Sequence, residues 1–343
     1  MKRNLLGLAA SLLLAACATT PEIGWQARHA AGEALREAVR FAEDPLPDAW
    51  TDVEVTTTPV PINDPALEAG TGALIYVGGF QITSEFNRLH GLSDIKFLDA
   101  SRFMAVTDEG LLVRGVLALD VDGHPTGLND MAVRPLTDPD GQALIPKYLA
   151  DAEGLAILPN GELLVSFERD HRVWRYDQQG QWLGARVTPD FPFTENEGME
   201  GIAPFGDSTS FWAAGEGGGL WVCWNICEVG IEVPPSPPTD DQLRVVSLTS
   251  DDDGVYALSR AYHSDRNTNT IQISGMVRAY DRFDGGPPIF WEEYATFTAP
   301  ATVDNFEGIA AVRRPDGGVR LYILSDDNFN SRQRTLLLAF DVR

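Results

Sequence analysis

Three stretches of this 343-residue chain set a glutamate directly before a glycine at the head of a short apolar run: Glu153-Gly154, Glu200-Gly201 and Glu307-Gly308. Each is followed by further acids, Glu168 after Glu153, Glu216 after Glu200, and Asp326 with Asp327 after Glu307, and a fourth set joins Asp94 to Asp108 and Glu109. A single acid of this kind can accept its own turn's backbone amides or pair with an arginine. A converging set cannot do so cheaply, because two like charges 4 Å apart repel by about 4 kcal/mol at an effective dielectric of ~20. A cation is therefore expected among them. Carboxylate oxygen is the hard ligand type that Ca²⁺ takes in flexible six- to eight-fold coordination, whereas His29, His90, His124, His171 and His263 are too scattered to favour zinc. On this reading calcium is the cofactor, and Asp94, Asp108, Glu109, Glu153, Glu200, Glu307 and Asp326 are its candidate ligands. Glu168 and Glu216 are candidate catalytic bases. Arg169, with His171 near it, and Arg260, with His263 near it, offer forked donors to an oxyanion such as phosphate. The same arginines serve equally well as internal counter-ions to the acids.

Acids so far apart in sequence need a scaffold that returns each set to one place. From Gly72 onward the chain is a succession of short β runs bounded by Gly, Asp, Asn or Pro, which defines an all-β domain. Repeated units open at Gly91, Asp151, Gly198, Gln242 and Asn305, spaced by 60, 47, 44 and 63 residues. A four-stranded propeller blade takes ~40 to 50 residues, so the spacing predicts a β-propeller of five four-stranded blades, with room for a sixth in the longer intervals. The last unit lacks an outermost strand, and ALIYVGGFQI, left over ahead of the first unit, can supply it. That pairing of the two chain ends closes the ring and removes its sheet edges. A two-sheet sandwich is the alternative, but it does not predict the periodicity. In a blade the start of the innermost strand and the end of its antiparallel neighbour meet at one mouth of the channel, and the acids fall at those two positions.

The bulk composition narrows the partners. With 50 acidic and 26 basic residues the formal charge is −24, which disfavours nucleic acid. The opening MKRNLLGLAASLLLAAC has a basic start and an apolar run too short to span a bilayer, as in a signal peptide over residues 1–16. Its Leu-Ala-Ala-Cys ending resembles the bacterial lipobox, in which Cys17 carries the lipid, and Ala18 after it resembles the outer-membrane sorting pattern. Loss of Lys2 and Arg3 with the signal takes the charge from −24 to −26. The expected location is thus the bacterial cell envelope, with the chain held to the outer membrane by its lipid. Residues 17–71 read as a tether with one short helical spacer, and 72–343 as the propeller. In an exported chain Cys223 and Cys227 can form a disulfide, but a straight strand would hold their Cα atoms ~13 Å apart. A bridge requires a turn at residues 224–226; two free buried thiols are the alternative. DVDGH, DPDG and SDDDG contain fragments of calcium loops without the full spacing and read as hairpin turns. There is no Gly-x-Ser-x-Gly elbow, His-Glu-x-x-His pair or P-loop.

GLSDIKFLDASRFMAVTDEG, DAEGLAILPNGELLVSFERDHRVWRYD, NEGMEGIAPFG and FEGIAAVRRPDGGVRLYILSDDNFN together resemble the phytase-like propeller family described as "esterase-like activity of phytase", from about Gly72 to Arg343. The resemblance implies phosphoester hydrolysis served by the acidic residues and a small anionic substrate. No run of Lys and Arg suited to a polyphosphate accompanies it. Two readings of other classes stand beside hydrolysis of a phosphoester: a non-catalytic propeller that binds a ligand or envelope partner at the same mouth, and a lactonase-like hydrolase.

Overall fold

The computed structural model describes residue 46 and residues 49–236, 238–252, 254–277 and 290–343. The chain divides into two units, Met1–Pro47 and Asp48–Arg343. The expected signal peptide, the lipidation site Cys17 and the helical spacer lie outside the described residues.

The second unit is five antiparallel sheets. It opens with β1 (Thr51–Asp52), β2 (Val55–Pro59), helix α1 (Pro65–Ala69) and β3 (Leu74–Ser84). The first blade is β4 (Leu92–Phe97), β5 (Arg102–Thr107), β6 (Leu111–Leu119) and β7 (Pro125–Pro135), and a short helix α2 (Lys147–Ala150) follows it. The second is β8 (Ala152–Ile157), β9 (Leu163–Phe167), β10 (Arg172–Tyr176) and β11 (Trp182–Arg186). The third is β12 (Met199–Phe205), β13 (Asp207–Gly215), β14 (Leu220–Cys223) and β15 (Cys227–Ile231). The fourth is β16 (Arg244–Ser250), β17 (Val255–His263), β18 (Thr268–Val277) and β19 (Phe290–Thr298). In the fifth, β20 (Asn305–Arg313), β21 (Val319–Asp326) and β22 (Thr335–Val342) continue into β3 and then β2. The ring closes as expected through β3, where Leu338 of β22 lies opposite Gly79.

There are five blades and no sixth among the described residues; the long intervals are absorbed by α2 with its loop, and by long outer strands. The boundary expected at residue 72 also moves. TTTPVPINDP is not a tether: Val55–Pro59 pairs with β3, and Thr51–Asp52 pairs with β7. Threonine and valine are β-branched and suit a sheet edge. Pro59 ends β2, a strand with no further neighbour and so a place where a missing amide donor costs nothing.

Hydrophobic packing lies between blades. One cluster joins Leu258 and Ile273 of the fourth blade to Ile309 and Leu338 of the fifth, and another joins Met104 and Val106 of the first to Leu155 and Phe167 of the second. The remaining clusters fill the other three junctions. Each such side chain, nearly all fully buried, contributes about 1.5 to 3 kcal/mol. The inner strands β4, β8, β12, β16 and β20 touch in a closed ring around the axis.

The turn assignments agree with the sequence. Asp120 accepts the amides of Asp122 and His124, Asp138 those of Asp140 and Gln142, and Asp251 that of Gly254, so these carboxylates cap their own turns. At 224–226 the chain turns back, Trp224 donating its amide to Ile226. Cys223 and Cys227 then face each other with Cα atoms 4.0 Å apart and their sulfurs bonded.

Candidate functional site

Every inner strand carries a β-bulge at the same place. Opposite its neighbour, the ladder skips Ser93 in β4, Glu153 in β8, Glu200 in β12, Val246 in β16 and Glu307 in β20. A bulged residue has no partner in the ladder and its side chain is re-aimed, so three blades send a glutamate toward the axis at one level. The glycine after each glutamate is needed for the next strand to approach. A Cβ at Gly154 would lie 2.6 Å from the carbonyl oxygen of Glu200, and one at Gly201 2.8 Å from Leu248 Cγ. The repeated Glu-Gly pair is thus one device: the acid is aimed by the bulge, and the ring is closed over the glycine.

Asp94 sits one position past its bulge, where the other blades have Gly154, Gly201, Ser247 and Gly308. That single step removes it from the acidic level, and its expected role as a metal ligand is corrected accordingly. Asp94 is fully buried. Lys96 Nζ donates to both of its oxygens at 2.6 Å, the Leu155 amide at 2.8 Å and Ser247 Oγ at 3.0 Å. Lys96 also reaches the Ile309 carbonyl at 2.9 Å. These bonds tie blades one, two, four and five together across the axis. Burial pushes the carboxyl up and the ammonium down, each opposed by the other's charge. Glu109 is likewise engaged elsewhere, with the fully buried Arg88 at 3.3 Å.

Above this crossing lies a cup of eight carboxyls: Asp108, Asp151, Glu153, Glu168, Glu200, Glu216, Glu307 and Asp326. Burial, then repulsion from neighbours led by Glu200 and Asp151, raises Glu153 far above the usual range. Glu200 is raised far above it too, by burial and then by Glu216 and Glu168. Burial and Asp151 raise Glu168 to about 8 against the pull of Arg169. Burial raises Glu307 to about 7 despite Arg260, and burial with Glu307 and Asp108 raises Asp326 to about 9. Asp108 rises to about 6, from burial opposed by Lys147. One oxygen from each of Asp151, Glu153 and Glu168 lies within 4.8 Å of the others, a spacing that suits one cation.

The cationic side chains are spent on these acids. Arg169, in the left-handed region at φ 60°, folds back so that its Nε donates to Asp151. Arg260 pairs with Glu307 at 3.3 Å. Arg244 lies 3.5 Å from Glu216, 3.7 Å from Glu197 and 3.0 Å from Asp240. His171 and His263 do not join them; they bond the Thr194 carbonyl and Thr270 Oγ1. Beside the cup, Glu216, Arg244, Arg260, Tyr262, Asn269 and Asn305 line a polar cleft of about 290 Å³.

Sequence reasoning missed Asp151, Lys147 and Arg244. Asp151 was open to detection, since it precedes Glu153 by two residues as Asn305 precedes Glu307, and Asn305 Nδ2 bonds Glu307 at 2.7 Å. Arg244 occupies the same repeat position and pairs across the ladder with Arg260. Lys147 lies in the loop after the first blade and carries no repeat signal.

A carboxyl with a folded pKa above its unfolded value of ~4 binds protons more tightly in the native state. Its stabilising contribution is complete below that unfolded value and is lost as pH rises through the folded one. With Asp108, Glu307, Glu168 and Asp326 at about 6, 7, 8 and 9, the melting temperature of chelated protein is expected to fall from about pH 5 to about pH 9. A melting temperature flat across that range would mean that the acids do not share one buried cup.

Fold and site together define a five-bladed propeller with an acidic, proton-retaining axial cup. The chain belongs to the phytase-like family described as esterase-like activity of phytase, whose model matches residues 87–329. No curated protein matches it. Solved structures it is similar to include the mitotic checkpoint complex, at 13% identity and a TM-score of 0.35 over 78% of this chain and 69% of that one. Another is YCF48 bound to D1 peptide, at 12% identity and a TM-score of 0.36 over 80% and 71%. These likenesses are too distant to inform the site.

Proposed function

We propose that the chain is a calcium-dependent phosphoester hydrolase of the phytase-like family, carried as a lipoprotein on the outer membrane. The observation that supports it most is the Asp151, Glu153 and Glu168 group, with three carboxylate oxygens within 4.8 Å of one another. Asp151 is 1% exposed, with the Lys147 ammonium 3.3 Å from its Oδ1 and Arg169 on its Oδ2. An all-oxygen, anionic donor set fits Ca²⁺. Bound there, the ion would screen the phosphoryl charge and acidify a water molecule.

The chain's own residues do the rest. Glu216, a half-buried carboxyl held by Arg244, accepts the proton of the attacking water. Arg260 and Arg244 line the adjacent cleft and donate to phosphoryl oxygens where charge builds up. Glu168 belongs with the cation rather than with proton transfer, which leaves Glu216 as the base. Arg169, committed to Asp151, holds that ligand in place. Because each of these arginines already faces a carboxylate, the site suits a substrate with one phosphoryl group better than a polyphosphate.

The test is turnover of phosphomonoesters, phosphodiesters and lactones with and without a chelator. Phosphoester turnover lost on chelation is expected. Lactone turnover alone would point instead to lactonase chemistry, and a folded protein inert on the whole panel to a propeller that only binds. The lipid anchor rests on the Leu-Ala-Ala-Cys ending: Cys17→Ser is expected to abolish lipid labelling and free the chain from the membrane fraction, and labelling that survives would remove the anchor.

A further inference from the structure

Lys147 reaches the cup from the loop between the first and second blades. It opens α2 and projects between acids of both blades. Its Nζ lies 2.5 Å from Asp108 Oδ2 and 3.3 Å from Asp151 Oδ1. Those two carboxyls are buried, 9% and 1% exposed; Arg169 holds the other oxygen of Asp151, and Asp108 Oδ1 accepts no hydrogen bond. Two buried carboxylates converging on one point, Asp108 with an oxygen to spare, are the surroundings of a bound cation, and an ammonium occupies that point.

We propose that Lys147 is a built-in cation of the cup: its ammonium holds, between Asp108 and Asp151, a position that a second divalent ion would otherwise take. This rests on the calcium reading of the Asp151, Glu153 and Glu168 group and adds a limit to it. The native cup loads one ion fewer than its carboxylates could hold, and Asp108 serves Lys147 rather than metal. Removing the ammonium leaves Asp108 without its counter-charge and Asp151 with Arg169 alone, and a hard divalent ion in solution is the natural replacement.

Equilibrium dialysis with radioactive Ca²⁺, on wild type and Lys147→Met, counts the ions directly. The variant is expected to bind one more Ca²⁺ per chain, and to gain more in melting temperature from Ca²⁺ than wild type does. Lys147→Arg, which keeps the charge, is expected to bind the wild-type number. An equal count in Lys147→Met and wild type would overturn the inference and leave the calcium reading standing. A wild type that binds no Ca²⁺ would remove both. Should Lys147→Met not fold, Asp108→Asn decides: Ca²⁺ affinity within about twofold of wild type supports a carboxylate that serves lysine. A fall of the ~10- to 100-fold size seen when groups supporting a metal are lost would place Asp108 on the metal and overturn the proposal.

Discussion

Glu216→Gln is expected to lower phosphoester turnover by ~100- to 10,000-fold, the range for loss of a positioned base, with little change in the substrate concentration needed for half-maximal rate. Glu216 leaves the end of β13 at the mouth, is half-buried, and faces Arg244 at 3.5 Å. Burial raises its pKa above the usual carboxylate value, against the pull of Arg260 and Arg244. The amide has the same shape and still accepts a hydrogen bond from Arg244, so the fold is expected to survive, but it cannot take a proton from water. A variant with wild-type turnover would exclude Glu216 as the base. Lost turnover together with a collapsed melting curve would show that the carboxylate is structural. The cleft beside it gives a second readout, because Arg260→Ala is expected to weaken a phosphate substrate more than a neutral lactone.

The second large effect lies below the cup. Asp94→Asn or Lys96→Met leaves one member of a buried ion pair uncompensated, and such a loss costs about 3 to 5 kcal/mol. Asp94 and Lys96, in the first blade, hold groups from three others: the Leu155 amide, Ser247 Oγ and the Ile309 carbonyl all converge on them. The midpoint of urea unfolding is therefore expected to drop sharply in either single variant. The double variant, which buries no net charge, is expected to recover part of the loss. Single variants that unfold at the wild-type urea concentration would mean that the crossing adds nothing to closure of the ring. Turnover per folded molecule is expected to change far less than in Glu216→Gln, since Asp94 faces away from the acidic level.

Much of the architecture was legible because it is written locally. Alternating and continuous apolar runs, turn residues between them and a repeat near blade length are properties of neighbouring residues, and they fixed an all-β propeller with acids at one mouth. The five repeat starts lie within two residues of the inner strands β4, β8, β12, β16 and β20, and ALIYVGGFQI closes the last blade as expected. The stretch before it misled, because Pro and Thr make an edge strand and a loose tether look alike; only the partner strand β3 distinguishes them.

Which acid points where is settled by the bulges and the closed ring. A bulge adds one residue, and one residue in a strand turns a side chain to the other face, so Asp94 and Glu153 look equivalent in sequence and end at different levels. Partners were hidden for a second reason. Ser247 reaches Asp94 across 153 residues, and Lys147 reaches Asp108 across 39 from a loop outside the repeat. No periodicity predicts such pairs, because they exist only once the ring has closed and set distant strand ends side by side. That carboxylates gather at one end of the channel follows from the repeat; that arginines and a lysine come with them, and which acids are left for a cation, follows from closure of the ring.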